Sequence, residues 1–465
     1  MFVGRKYELE ALEKLYDSDK FEMFILYGRR RVGKTALINE FIKDKNHIFY
    51  VASQESKQDA LKRFSEIVLD CFPMAKSMID FFETWDKAFS YIGEQVGQDK
   101  LVVAIDEYPY LAESYSPISS ILQNIIDHKW NKTRIKLIIS GSSMSFMERQ
   151  VLGYESPLYG RRTSQLKLLP FDYKESQEFI PCFSDEEKII SYGVVGGIPQ
   201  YLLLLSQYSN ITEGIKELYL KKYGHFYEET TSLLKQELRE PAIYNSIIAS
   251  IASGASTLNQ IGTKTGIDNA KCAKYLRTLI DLHIVEKIAP INSKGKKNQI
   301  YSIKDLMFRF WYRYIPANIT NIELGLSDYV LKNKILPDLS NFMGLAFENI
   351  SKEYLLIENR EMKLPFVFDN IGKWWGNNKI LKKQEEIDIV CISGNKGLFA
   401  ECKWRNEKLD YNIYEDLKRK SYLLLEFPER YYILFSKSGF TDRLLDEEKN
   451  DPKLMLVGMS DFFQS

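Results

Sequence analysis

A chain of 465 residues exceeds one core of ordinary size, and at about 150 residues per domain it predicts roughly three. Its 63 basic and 63 acidic side chains cancel, which excludes a protein-wide field toward nucleic acid or membrane, so any such contact needs a local patch. Five widely spaced cysteines (Cys71, Cys182, Cys272, Cys391, Cys402) without a CxxC pair indicate neither a disulfide framework nor a zinc site and fit a reducing cytosol. The opening Met1–Lys6 lacks the apolar core of a signal peptide, and no apolar run of about 18 residues follows, so the expectation is a cytoplasmic protein with no membrane partner.

Phe21–Tyr27 reads as a short buried strand and Ala36–Ile42 has helical spacing. Between them lies Gly28-Arg29-Arg30-Arg31-Val32-Gly33-Lys34-Thr35, a glycine-bearing strand-to-helix turn of the P-loop kind. Gly28 and Gly33 let the backbone aim N–H groups at phosphate oxygens, and the helix start adds partial positive charge. Lys34 is expected to reach the β- and γ-phosphates of ATP, and the Thr35 hydroxyl to ligate Mg²⁺. A second strand, Leu101–Ile105, ends in Asp106-Glu107 at the carboxyl edge of a parallel sheet, where ligands bind. Asp106 is assigned to the Mg²⁺ shell and Glu107 to the general base acting on water. A third strand, Ile135–Ile139, leads into Ser140-Gly141-Ser142-Ser143, read either as a γ-phosphate sensor or as a capped turn.

Together with Phe2-Val3-Gly4-Arg5, Pro157-Leu158-Tyr159-Gly160-Arg161-Arg162 and Gly196-Gly197-Ile198-Pro199-Gln200-Tyr201-Leu202, these motifs resemble the archaeal-type ATPases of the AAA+/STAND group. The resemblance covers the first two-thirds of the chain. It implies that Phe2 and Val3 lie against adenine and that Pro199 belongs to a helical lid over the nucleotide. Arg161 or Arg162 is either a cation acting on the transferring phosphoryl group or half of a solvent-facing pair. An arginine of the first kind implies nucleotide-dependent homo-oligomers.

From about Asp185 to Gln236 apolar residues recur at helical spacing, as in a small helical bundle. Helices are then predicted over Ala242–Ala252, Ser256–Ile261 and Ala270–Leu279, with Gly266 supplying the turn, followed by strands Ile284–Ile288 and Gln299–Ile303. That order fits a winged helix. Lys271, Lys274 and Arg277 stripe the recognition helix, and Lys294, Lys296 and Lys297 crowd the wing loop. Both sets are candidate phosphate contacts to DNA, with a protein-packing domain as the other reading.

Past Pro316 a helix around Phe342–Ile350 precedes a predicted hairpin, Glu386–Ile392 with Leu398–Trp404. Alternation puts Glu401 and Lys403 on one strand face, and the hairpin brings Asp388 alongside. This constellation resembles the PD-(D/E)xK nucleases, although Ile387 stands where that family usually has proline. The resemblance implies that Asp388 and Glu401 ligate Mg²⁺, that Lys403 orients or activates water, and that Glu348 completes the acidic site. Trp374-Trp375-Gly376 and Glu401-Cys402-Lys403-Trp404 also look like the uncharacterised domain commonly appended to these ATPases.

The expected architecture is α/β: a P-loop parallel-sheet ATPase core over 1–168, a helical lid over 169–236, a winged helix over 237–315, and a restriction-endonuclease-like domain over 316–465. The expected function is ATP binding and hydrolysis coupled to a DNA-directed, metal-dependent nuclease-like module. The alternatives are a STAND-type signalling switch, or a regulator that binds DNA or protein without cleavage.

Overall fold

Five apolar runs separated by helices pair edge to edge in the first of the two units into which the chain divides, Met1–Pro170 and Phe171–Ser465. They are seen in a computed structural model that describes residues 2–291, 298–378, 381–424 and 426–464. The first unit runs α1 (Lys6–Asp17), β1 (Glu22–Tyr27), α2 (Lys34–Ile42), β2 (His47–Val51), α3 (Lys57–Cys71), α4 (Trp85–Val96), β3 (Lys100–Asp106), α5 (Tyr108–Ser114), α6 (Ile118–His128), β4 (Arg134–Gly141) and β5 (Ser164–Lys167). The strands are all parallel, in the order β2-β3-β4-β1-β5. Helices cover the sheet, so β1 is buried at every position and reads as continuous apolar sequence rather than as alternation. Tyr50, Phe64, Trp85, Phe89 and Trp130 fill the core with largely edge-on ring contacts. Because β4 lies between β1 and β3, the carboxyl ends of all three strands meet at one edge.

After two short turns, Tyr173–Ser176 and Gln177–Phe179, the second unit continues with helices α7 (Asp185–Val195), α8 (Pro199–Leu205), α9 (Ile211–Tyr219) and α10 (Glu229–Glu237). Next come α11 (Pro241–Ala252), α12 (Leu258–Thr265), α13 (Asn269–Asp281) and an antiparallel pair, β6 (Val285–Ile288) with β7 (Ile300–Ile303). Thr257 and Gln260 form a reciprocal capping box at the start of α12, as the hydroxyl-rich Ser256-Thr257 suggests. Lys294, Lys296 and Lys297 lie outside the described residues.

Two expected divisions do not match the packing. The 315/316 boundary falls inside α14 (Leu306–Glu323), because buried residues continue at helical spacing from Phe310 and Ile315 to Ile322 straight through Pro316. Proline forbids one backbone hydrogen bond there, and tertiary burial of the helix outweighs that loss. The 169–236 bundle is not a separate body either. Gly193 of α7 packs on Met343 of α15 (Leu339–Arg360), and Tyr192 donates to Glu353 Oε1 at 2.9 Å.

After α15 come β8 (Asn370–Asn378), β9 (Lys383–Ser393), β10 (Lys396–Lys403), α16 (Tyr411–Ser421), β11 (Glu429–Ser436), α17 (Asp442–Asn450) and β12 (Leu454–Val457). The sheet order is β12-β11-β10-β9-β8: an antiparallel meander of β8, β9 and β10, with β11 and β12 added in parallel through the helical crossovers.

Candidate functional site

At the first site, Gly33 starts α2 with φ 92°, a left-handed conformation that glycine adopts without a steric penalty. Arg31 shares that region at φ 70°, so the loop curls tightly between Gly28 and Lys34. The Lys34 ammonium is buried and donates to the carbonyls of Gly28 (3.0 Å) and Arg29 (3.2 Å), within the loop's own concavity. Arg29 and Val32 are buried, and Arg30 donates to the Tyr110 hydroxyl at 2.8 Å. Thr35 Oγ1 donates to Asp106 Oδ2 at 2.5 Å, which joins the loop to the end of β3. Asp106 is fully buried and also accepts from the Ser140 hydroxyl of β4 and from the Glu107 N–H (3.0 Å). Glu107, at φ 52°, is held by Ser142, whose hydroxyl and N–H both donate to Oε2 (2.7 and 3.2 Å). The structure therefore brings Gly28, Gly33, Lys34, Thr35, Asp106 and Glu107 to one sheet edge. A hydroxyl and a carboxylate facing the loop form an oxygen donor set of the kind Mg²⁺ takes.

Val3 is buried and Phe2 half-buried in the unit that holds this loop, while Pro199 begins α8 in the second unit. Arg5, given no role within the Phe2–Arg5 motif, is buried and donates from its guanidinium to Val32 O (3.1 Å) in the loop and to Leu169 O (2.7 Å). The arginine pair stands elsewhere. Thr163 bonds to Met23 and Ser164 pairs with Phe24, so Arg161 and Arg162 precede β5 at the amino end of β1, the edge opposite the loop. Arg161 is committed to a two-point ion pair with Asp127 (3.0 and 2.7 Å) and to the carbonyls of Pro157 and Tyr159. It is half-buried and held by these contacts on the side of the sheet away from the loop. Arg162 donates to Leu152 O and lies over the Tyr159 ring.

In the second unit, Lys271, Lys274 and Arg277 are exposed on α13, with no ion pair among the described residues. Cys272, Tyr275, Leu276 and Leu279 bury the opposite face.

The third cluster lies on the meander. Ala400 pairs with Ile389 across β10 and β9, which sets Glu401 opposite Asp388, and Asp388 Oδ2 accepts from the Cys402 N–H at 2.9 Å. Lys403 Nζ is 2.5 Å from Glu401 Oε1 and 3.8 Å from Asp388 Oδ2. Burial and the facing Asp388 charge raise the pKa of the Glu401 carboxyl. Burial alone would lower the Lys403 ammonium, but Glu401 and Asp388 outweigh it and raise it.

Glu348 reaches this cluster from α15. Its carboxylate pairs with Lys373 Nζ of β8 at 3.1 Å, and Lys373 also lies 3.5 Å from Glu386 and 4.0 Å from Asp388. Among the described residues no three carboxylate, histidine or cysteine side chains are arranged to hold a metal ion. Lys373 thus stands between Glu348 and Asp388, while Asp388 and Glu401 face each other directly. Sequence reasoning also missed Lys420 of α16, 3.6 Å from Glu401 Oε2. That oxygen is buried and accepts no hydrogen bond; the Lys420 ammonium is the charge that faces it. Only the tryptophans after Lys373 drew attention in the sequence; its role depends on strand register.

A parallel sheet whose first strand ends in this loop, with Thr35 and Asp106 joined across it, defines the P-loop nucleoside triphosphatase fold. Residues 2–205 match the family described as an ATPase domain predominantly from Archaea. Residues 311–416 match a second family, described as archaea bacterial proteins of unknown function. An uncharacterized protein of Methanocaldococcus jannaschii is 36% identical over 471 residues, spanning 99% of this chain and 100% of its own. An uncharacterized ATP-binding protein of the same organism is 58% identical over 45 residues, 10% of this chain and 76% of its own. The Walker-type ATPase of Pyrococcus abyssi is similar in fold, with TM-score 0.51 and 19% identity over 67% of this chain and 96% of that one. The chain belongs to this archaeal P-loop ATPase family, and it carries the family's C-terminal domain of unknown function. No helix among the described residues is long and apolar enough to cross a membrane.

Proposed function

We propose that ATP hydrolysis in this protein drives a DNA-directed, metal-dependent nuclease-like module in the C-terminal sheet. Lys34 binds the β- and γ-phosphates, and Thr35 and Asp106 would hold Mg²⁺, which would supply positive charge beside the phosphates. Glu107 takes the proton of the attacking water, and Ser142 keeps its carboxylate at the sheet edge. Phe2 and Val3 contact adenine, and Pro199 lies in the helical lid. Arg162 is the cation left for a neighbouring subunit's nucleotide, which implies homo-oligomers when ATP is bound. The α11–β7 segment acts as a winged helix, with Lys271, Lys274 and Arg277 on DNA phosphates. In the C-terminal domain Asp388 and Glu401 would hold a divalent ion, which would supply activation of water, and Lys403 orients that water.

The observation that carries this reading is the placement of Asp388 opposite Glu401 on neighbouring strands, bridged by Lys403. The order helix, three-stranded meander, helix and parallel strand supports a PD-(D/E)xK-like fold. The test is cleavage of linear, supercoiled and single-stranded DNA with Mg²⁺ or Mn²⁺, with and without ATP, by the native chain and by Asp388→Ala and Lys403→Ala. Metal-dependent cleavage lost in both variants is the expected result. The interposed lysines favour one rival, a signalling or regulatory ATPase that binds phosphate backbones without cutting them. Retention of ATP hydrolysis and DNA binding with no cleavage under any condition would select it.

A further inference from the structure

Arg309 and Arg313 stand one turn apart on α14, but only one of the two guanidiniums is matched by an opposite charge. Arg313 is neutralised by Asp338, with Nε to Oδ2 at 2.7 Å and Nη2 to Oδ1 at 2.8 Å. Arg309 has no carboxylate within ion-pair distance among the described residues. Its Nη2 donates to Phe342 O at 3.1 Å, its Cζ lies over the Phe342 ring at 4.9 Å, and its Nη1 is buried without an acceptor. Glu348, further along α15, is already paired with Lys373 at 3.1 Å. A guanidinium keeps its charge at neutral pH, and a charge drawn out of water is ordinarily paired because desolvation without a partner is costly. Both arginines line a cavity of about 230 Å³, which Ser256 after α11, Ser302 of β7 and Leu345 of α15 also line. The Ser256 hydroxyl makes a long 3.4 Å contact with Gln260 Oε1, so it can turn to a nearer acceptor.

We infer that this cavity is a binding site for a phosphate group, either inorganic phosphate or the phosphate of a mononucleotide, which supplies the counter-charge that Arg309 lacks. A tetrahedral oxyanion takes donors from several directions, and here guanidiniums on α14 and hydroxyls on two other segments offer them; a planar carboxylate is satisfied by one guanidinium fork. Held by one hydrogen bond and one ring face, the Arg309 guanidinium is able to turn Nη1 toward the anion. Arg313 and Ala252 also line a larger groove of about 910 Å³ that includes Trp311 and Tyr312, which gives a nucleoside room beyond its phosphate. The site uses neither the ATP loop nor the carboxylates of the C-terminal sheet. A bound anion would tie the α11–β7 segment to α14 and α15 within the second unit.

The test titrates the full chain calorimetrically with inorganic phosphate, AMP and acetate, with the P-loop filled by a non-hydrolysable ATP analogue. Phosphate should bind, and Arg309→Met should weaken it by about tenfold or more, the effect of removing a charge-assisted hydrogen bond. Arg309→Lys and Ser302→Ala, milder changes, should weaken it by about two- to tenfold, so the test stands even where Arg309→Met folds poorly. The melting temperature of the native chain should rise with phosphate concentration, as for any ligand of the folded state, and that of Arg309→Met should not. In phosphate-free buffer Arg309→Met should melt no lower than the native chain, because methionine fills the space without a charge to pair. AMP bound more tightly than phosphate assigns the site to a nucleotide, and equal affinity assigns it to free phosphate; both support the inference. No phosphate binding by the native chain, an affinity unchanged in all three variants, or acetate bound as tightly as phosphate would overturn it.

Discussion

Asp106 accepts hydroxyl hydrogen bonds from two directions, Thr35 of the loop and Ser140 of β4, while Ser142 restrains Glu107 next to it. The sequence showed serines after the third strand without deciding between sensor and cap; the structure makes them ligands of the two carboxylates. Replacing Glu107 by Gln keeps the shape and the Ser142 contact but removes the carboxylate proposed as base. Turnover should fall by about 10²- to 10⁴-fold with ATP binding intact, measured by steady-state hydrolysis beside calorimetric titration. Lys34→Ala should instead weaken ATP binding by about 10- to 100-fold, the loss expected for a charge-assisted hydrogen bond of about 1.5 to 3 kcal/mol. Equal loss of turnover and binding in Glu107→Gln would remove it from the role of base.

At the scale of elements, strand and helix identities were legible where an apolar run or a strong periodicity marked them, as in β1 for the first and α2, α13 and the β9–β10 hairpin for the second. β8, β11 and β12 were not, since their faces are decided by neighbours distant in sequence. The register shift between Gly372 and Trp374 is of the same kind, because no local pattern announces it. Gly196-Gly197-Ile198-Pro199 offers a sharp test. A Cβ on Gly197 would stand 1.8 Å from the Phe171 carbonyl oxygen, on backbone that cannot yield. Gly197→Ala should cost more than about 2 kcal/mol in urea unfolding of the chain, well beyond ordinary surface substitutions. Arg161→Ala breaks the two-point pair with Asp127 and two carbonyl contacts, and should cost about 1 to 2 kcal/mol while leaving ATP affinity unchanged. A selective loss of hydrolysis in Arg161→Ala, with stability unaltered, would restore the phosphoryl-cation role.

For the whole molecule, buried carboxyls give a stability profile with a defined sign. Burial raises Glu353 to about 7, although Tyr192 and the Tyr173 N–H donate to it. A carboxyl raised from its ordinary value of 4.5 keeps its proton in the fold after the unfolded chain has lost it. Stability should therefore decline as pH rises from about 4.5 to 7 and level off above that, by on the order of 1 to 3 kcal/mol for this group. Glu385, drawn down to about 2 by Arg419, acts oppositely, and its contribution is lost as pH falls below 4.5. Glu353→Gln should flatten the decline between pH 4.5 and 7 in urea midpoints; an unchanged slope would assign it to other groups. By itself the sequence determined the phosphate loop, its acidic partner strand and the hairpin carrying Asp388, Glu401 and Lys403, because each is set by turn chemistry and periodicity within a few dozen residues. Only tertiary structure decided that Ser142 restrains Glu107, that Arg161 belongs to Asp127, and that Lys373 separates Glu348 from Asp388, because those contacts depend on strand order, register and burial among residues far apart in the chain.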